Sequence, residues 1–151
     1  MEGVRPARPD DGPRCAELVG QARAVLEGRR GGPELLAGSR SPEELVAAWV
    51  AGGPAALWVG EFDGAPVGVA AGVVAPTADR LTGRLECCYV EPAARGVGVG
   101  TALVSAALGW FEAQGCTDVD AVALPGDRAV KQLLEAAGFR ARLLVLHRRL
   151  R

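Results

Sequence analysis

The chain has 151 residues, a formal net charge of −1 and a hydrophobic share of 49%. This length suits one domain with its own core, and we expect residues 1–151 to form a single soluble α/β domain. The near-neutral charge argues against a nucleic-acid partner, which would normally select a large basic excess. No apolar run approaches the ~20 residues that span a membrane, so no membrane partner is expected. The first residues lack an apolar signal core, which predicts a cytoplasmic protein.

Metal-binding spacing is missing from the sequence. Cys15, Cys87, Cys88 and Cys116 form no Cys-x-x-Cys pair, and His147 is the single histidine. Zinc sites normally combine clustered Cys and His ligands, so we predict no metal site and interpret the cysteines as structural thiols. If the adjacent pair of cysteines lies in a strand, its two side chains face opposite sides of the sheet.

The first part of the chain is predicted to hold a strand, a helix and a loop. The strand covers 4–7, and Asp10 or Asp11 caps the helix that follows. Apolar residues of this helix recur at helical spacing as far as Leu26. Residues 28–40 are rich in Gly and Arg, which predicts a loop.

A second helix and a β-hairpin come next. Ser41-Pro42-Glu43-Glu44 has the pattern of a capping box that opens the helix, and Gly52-Gly53-Pro54 ends it. The apolar runs 56–62 and 66–74 are predicted strands. Asp63-Gly64 between them favours a tight hairpin turn, because both central residues of that turn have positive φ.

The second half alternates strands and helices. Residues 85–90 and 119–124 are predicted strands with a helix between them, which makes the two strands parallel if they share a sheet. Asp127 caps the last helix and Gly138 ends it. Residues 139–150 are expected to supply one or two closing strands. The pattern predicts a mixed, mostly antiparallel sheet of about six or seven strands with about four helices.

A glycine-rich turn, Arg95-Gly96-Val97-Gly98-Val99-Gly100-Thr101, joins the fourth strand to its helix. Gly lets the backbone approach a ligand closely, and the free N–H groups of a helix N-terminus attract anions. The turn therefore predicts a phosphate site, with Arg95 as a cation at its rim. Thr101 and Leu103 stand where a dinucleotide fingerprint needs its third Gly, and no Lys precedes Thr101 as a triphosphate-binding loop requires.

The spacing Arg95-x-x-Gly98-x-Gly100 resembles the pyrophosphate-binding signature of the GNAT superfamily of acetyl-CoA-dependent N-acetyltransferases. The order of elements, and Gly138-Phe139 after the last helix, resemble the GNAT fold over nearly the whole chain. The resemblance implies acetyl-CoA as cosubstrate, bound where strands four and five splay apart. The residues it implies for this donor site are Cys88, Tyr89, Val90, Arg95, Gly96, Val97, Gly98, Gly100, Thr101 and Asp127.

Glu86 is the candidate general base. An ammonium must lose a proton before its nitrogen can attack, and Glu86 is the only acid within 85–90. It lies four residues before Val90, where several GNAT enzymes place a catalytic glutamate. The alternative is a solvated glutamate paired with Arg84. The N–H of Tyr89 or Val90 would polarise the thioester carbonyl.

Two positions depart from the family pattern. Leu134 replaces a tyrosine that many GNAT enzymes use to protonate the leaving thiolate, and Asp127 replaces an Asn, with helix capping as its alternative role. Arg29, Arg30 and Arg40 are interpreted as solvated, although they would also suit recognition of an acidic acceptor.

The sequence thus predicts transfer of an acetyl group from acetyl-CoA to a primary amine of a small molecule, peptide or protein. Two alternatives stay open: a non-catalytic acyl-CoA-binding or regulatory domain, and an acyltransferase that uses another acyl-CoA. The apolar run Leu143-Leu144-Val145-Leu146 would permit a homodimer, or would form a buried central strand.

Overall fold

A computed structural model describes all 151 residues of the chain. They form one mixed sheet and helices that cover both of its faces. The strands are β1 (Glu2–Pro6), β2 (Ala55–Phe62), β3 (Ala65–Pro76), β4 (Leu81–Val90) and β5 (Asp118–Ala121). The helices are α1 (Gly12–Glu27), α2 (Gly32–Leu36), α3 (Pro42–Val50), α4 (Val99–Ala113) and α5 (Arg128–Ala136). Short 3₁₀ turns cover Pro9–Asp11 and Pro92–Ala94.

The sheet has the order β1-β2-β3-β4-β5. The first four strands are antiparallel neighbours, while β5 pairs with β4 in parallel. The parallel pair is confirmed, because α4 carries the chain back along the sheet between these strands. Asp63 and Gly64 adopt φ of 50° and 81°, as the predicted hairpin turn between β2 and β3 requires.

The predictions of six or seven strands and about four helices are wrong, since the sheet has five strands and the chain has five α-helices. Residues 139–151 form no strand. Their apolar pattern suits a strand, but a strand also needs a neighbour for its backbone groups, and β5 is only four residues long. A short helix, α2, lies within the predicted loop 28–40; Pro33 in its first turn favours it.

Two strand boundaries differ by three residues or more from those predicted. β4 begins at Leu81 rather than at 85, and β5 ends at Ala121 rather than at 124. The early start of β4 reflects pairing with the long strand β3 as far as Pro76. Such pairing depends on a distant segment, which local composition does not report.

The core forms two layers, one on each face of the sheet. α1 and α3 cover one face, where Leu18 and Trp49 are buried against β2 and β3. α4 and α5 cover the other face, where Leu103 and Phe111 are buried. A Cβ at Gly72 would come within 2.7 Å of Phe111 Cζ, so this strand glycine lets α4 lie close to the sheet. Nearer the start of α4, a Cβ at Gly68 would lie 3.1 Å from both Leu103 Cδ1 and Val90 Cγ2, so this part of the helix lies beside the end of β4.

Candidate active site

A cleft of about 870 Å³ opens where β4 and β5 separate. Their ladder runs from Thr82–Asp118 to Leu85–Ala121 and stops there, while β4 continues to Val90. Residues 86–90 therefore present their outer edge to the cleft without a strand partner on that side. Free N–H and C=O groups on such an edge can pair with an extended ligand that carries amide groups.

Glu86 occupies a β-bulge on β4. Leu85 pairs with Gly72 and Cys87 pairs with Ala71, so Glu86 is the extra residue. A bulge redirects the side chains around it, and Glu86 lines the cleft. Its Oε1 accepts a hydrogen bond from Arg84 Nη2 at 3.2 Å. The carboxylate thus has the cleft position that a base needs, and it also has the arginine partner of the alternative interpretation.

The glycine turn leaves a row of backbone amides free. Gly96 and Gly98 adopt φ of 85° and 91°, a region that favours glycine. The N–H groups from Gly96 to Thr101 donate no backbone hydrogen bond, and the first such bond runs from Ala102 N to Gly98 O at 3.0 Å. Because these amides lie at the N-terminus of α4, the helix dipole adds partial positive charge, and the turn can cradle a phosphate.

Arg95 lies over the end of β4. Its Nε donates to the Val90 carbonyl at 2.9 Å, and its guanidinium carbon is 5.7 Å from the centre of the Tyr89 ring. The predicted cation is thus at the junction of strand edge and glycine turn. A carboxylate is also near the turn: a Cβ at Gly98 would lie 3.7 Å from Glu2 Oε1. This acid was not identified from the sequence, because Glu2 is far from the turn along the chain.

Tyr89 is held by one side chain from α1. Its hydroxyl donates to Gln21 Oε1 at 3.1 Å, and Gln21 Nε2 donates to Glu91 Oε2 at 3.3 Å. Arg14 forms an ion pair with the same Glu91. This network ties α1 to the end of β4 and fixes the strand edge in the cleft. No sequence pattern signals these contacts, which join residues about 70 positions apart.

The wall formed by α5 offers no hydroxyl at the position of the replaced tyrosine. Leu134 is buried and lines the cleft. Asp127 Oδ1 accepts from Val130 N at 3.4 Å and so caps α5. Cys87 and Cys88 pack on opposite faces of the sheet, as predicted. Burial raises the pKa of each of these thiols to about 12, so both stay protonated at neutral pH.

The wall of the cleft that lies opposite α5 was largely missed by sequence reasoning. Apolar side chains of α1, α2 and α3, together with Arg23, line this part of the cleft. Among the arginines singled out in 28–40, Arg29 lines the cleft, whereas Arg30 and Arg40 do not. His147 lies in the exposed C-terminal tail. Amphipathic spacing indicates that a helix buries one face, but it does not distinguish a core position from a cleft wall.

The fold and the cleft define an α/β protein that presents an anion-binding turn beside an open strand edge. Residues 22–139 match the model of the Acetyltransferase (GNAT) family, and the chain belongs to that family. No curated protein sequence matches the chain significantly. None of the helices has the length and apolar character needed to cross a bilayer.

Solved structures share the fold. A putative acetyltransferase from Agrobacterium tumefaciens is 23% identical, with a TM-score of 0.73 and coverage of 97% of this chain and 99% of that one. Aminoglycoside N-acetyltransferase AAC(6′)-Iy, in complex with CoA, is 18% identical, with a TM-score of 0.75 and coverage of 100% and 95%. A Bacillus halodurans protein reaches a TM-score of 0.80 at 16% identity, with coverage of 98% and 99%.

Proposed function

We propose that this protein transfers an acetyl group from acetyl-CoA to a primary amine. The observation that carries this proposal is the row of free amides from Gly96 to Thr101, set against the unpaired edge of β4. A pyrophosphate joined to an amide-bearing arm complements both features at once. Membership of the GNAT family and the CoA complex of a structural neighbour support the same donor.

Each part of the donor site has a proposed role. The amides of Gly96, Val97, Gly98, Gly100 and Thr101 hold the pyrophosphate, with Arg95 as the nearby cation. The pantetheine amides pair with the backbone of 88–90, beyond the last β4–β5 pair. By capping α5, Asp127 sets that helix as the far wall of the cleft.

The transfer itself needs a neutral amine and a stabilised oxyanion. Glu86 takes a proton from the ammonium, directly or through a water, and the freed nitrogen attacks the thioester carbon. The N–H of Tyr89 or Val90 donates to the carbonyl oxygen as its negative charge grows. The C–S bond then breaks, which gives the N-acetyl product and the CoA thiolate.

Neither Leu134 nor Cys88 is a good acid for that thiolate. Leu134 carries no proton, and the pKa of Cys88, raised to about 12 by burial, exceeds the ~8.5 of an ordinary thiol. Transfer of a proton from Cys88 to the thiolate would therefore be uphill. We propose that the thiolate leaves as an anion and takes its proton from water.

Calorimetric titration with acetyl-CoA tests the donor site, with NAD and ATP as controls for general nucleotide binding. Selective micromolar binding is expected. Release of free CoA in the presence of a panel of amines then tests transfer. Absence of acetyl-CoA binding would refute the proposed function.

A non-catalytic acyl-CoA-binding role is the second candidate. Two observations favour it. The candidate base Glu86 is paired with Arg84, and the buried Leu134 stands where a proton-donating tyrosine would be. Acetyl-CoA binding without transfer to any amine would support it.

A third possibility is a longer acyl group, because the small side chains of Cys87 and Cys88 leave room at the cleft floor. Comparison of acetyl-, propionyl- and succinyl-CoA tests this possibility.

We also propose that two copies of the chain associate through the C-terminal tail. Leu143, Leu144, Val145 and Leu146 are 79–90% exposed, and Arg142 pairs with Asp118 and Asp120 on β5. The tail thus starts beside the unpaired edge of β5 and then exposes apolar surface. Light scattering of the full chain should show a dimer that deletion of residues 143–151 converts to monomer.

A further inference from the structure

The charges lining the cleft are almost all paired. Three carboxylates line it, and each has an arginine partner: Glu86 with Arg84, Asp120 with Arg142, and Asp127 with Arg29 at 4.0 Å. The guanidinium of Arg95 is engaged by the Val90 carbonyl and the Tyr89 ring. No free carboxylate remains to bind a second or third positive charge on a ligand.

Arg23 is the exception. It is half-buried on α1, lines the cleft, and forms no hydrogen bond or ion pair. A ligand carboxylate would pair with this free guanidinium through two parallel hydrogen bonds. One unpaired guanidinium suits a ligand with one negative charge in this part of the molecule.

The cleft also presents apolar side chains to solvent. Val25 and Leu35 are 40% and 44% exposed, and Val122 on the opposite wall is 63% exposed. All three line the cleft, as does Trp49. Large apolar side chains grouped in a concavity are typical of a ligand-binding surface, whereas singly exposed ones are common on any protein. An apolar group of the ligand fits here.

A contact across the cleft limits the size of the ligand. Arg29 follows α1, and its Nη1 donates to the Gly126 carbonyl in the β5–α5 loop at 2.9 Å. A Cβ at Gly31 would lie 3.7 Å from Leu124 Cδ2, so the two walls touch at a second point. These contacts close one end of the cleft, which suits a small molecule better than an extended polypeptide.

We propose, on the basis of the acetyl-transfer function above, that the acceptor is a small amine that carries an apolar group and a carboxylate. Apolar α-amino acids have this chemistry. Arg23 binds the carboxylate, the exposed apolar side chains cover the hydrophobic group, and the amine faces Glu86. Polycationic amines find no free carboxylate in the cleft. The acceptor class thus differs from the aminoglycosides named for two of the structural neighbours.

Matched acceptors test the proposal. CoA release is measured with L-phenylalanine, with 2-phenylethylamine, which lacks the carboxylate, with glycine, which lacks the apolar group, and with the aminoglycoside kanamycin. L-Phenylalanine should give the highest kcat/KM. Arg23→Gln should lower kcat/KM for L-phenylalanine by about 10- to 100-fold and leave that for 2-phenylethylamine within about threefold. Arg23→Lys should restore part of the loss.

Arg30→Gln is the control, because it removes the same charge from an exposed position outside the cleft. It should leave kcat/KM unchanged for both L-phenylalanine and 2-phenylethylamine. Neither substitution should alter the Kd for acetyl-CoA. Equal kcat/KM for the two phenyl compounds, or an Arg23→Gln variant with an unchanged ratio, would overturn the proposal.

Direct binding separates this proposal from the transfer function. Calorimetry with L-phenylalanine and 2-phenylethylamine is performed on the protein with and without CoA. Carboxylate-dependent binding that Arg23→Gln abolishes supports the acceptor site even if no acetyl transfer is found. Acetyl-CoA binding and transfer to other amines, without binding of L-phenylalanine, would refute the acceptor class and leave the transfer function intact.

Discussion

Gly98→Ala tests whether the turn before α4 is a phosphate site. Gly98 adopts φ of 91°, and an alanine in this left-handed region is strained by about 1–2 kcal/mol. The nearest atoms to an added Cβ belong to Glu2, at 3.7 Å, so backbone strain rather than a clash sets the cost. If the turn relaxes, its amides rotate away, and a bound ligand must restore their orientation. A cost of about 1–2 kcal/mol for this restoration weakens binding about 5- to 30-fold. If the turn keeps its shape, the new methyl group hinders the phosphate.

Gly115→Ala provides a matched control at the other end of α4. Gly115 has φ of 86° and open space around its Cβ position, so alanine there has a similar cost without touching the cleft. Thermal unfolding should show a similar fall of about 2–4 °C per kcal/mol in both variants. Calorimetry should show weaker acetyl-CoA binding in Gly98→Ala alone. Equal affinity in the two variants would refute the assignment of this turn as the pyrophosphate site.

Three further outcomes are expected. Glu86→Gln should lower kcat by about 10²-fold or more with an unchanged Kd for acetyl-CoA; a fully active variant would exclude Glu86 as the base. Glu2→Gln should tighten acetyl-CoA binding about two- to fivefold at low salt, because a negative charge leaves the phosphate turn, and the gain should shrink at high salt. The hydrogen bonds from Arg5 lower the pKa of Asp11 from 3.8 to about 2. Above pH 4 this pair therefore contributes about 1–2 kcal/mol to the free energy of unfolding. That contribution is lost as the pH falls towards 2. Urea unfolding should show that extra loss in the native chain and not in Asp11→Asn.

The sequence determined the features that depend on neighbouring residues. Asp63-Gly64 specifies its hairpin turn because few residues tolerate positive φ. Ser41 caps α3 through its Oγ, which accepts from Glu44 N at 3.1 Å. The glycines around Val97 specify a turn with free amides, and the strand–helix–strand order makes β4 and β5 parallel. Each of these follows from backbone conformation over a few residues or from the handedness of a single crossover.

Sequence patterns also misled where a local preference needs a distant partner. Residues 139–150 have the alternation and apolar content of strands, yet they lie outside the sheet. Asp11 lies at the start of α1 as predicted, but its carboxylate pairs with Arg5 and does not cap that helix. In both cases a tertiary contact, or the lack of one, outweighs the local preference.

Only the tertiary structure decided how the cleft is equipped. The bulge that carries Glu86 arises from the register between β3 and β4. The Tyr89–Gln21–Glu91 network joins α1 to the strand edge. Arg23 differs from the other cleft arginines through the contacts it lacks, which no property of its own sequence neighbourhood reveals. Charge pairing and burial depend on which distant side chains meet in space, whereas turns and caps depend on bonds between near neighbours, and this difference sets what the sequence alone could predict.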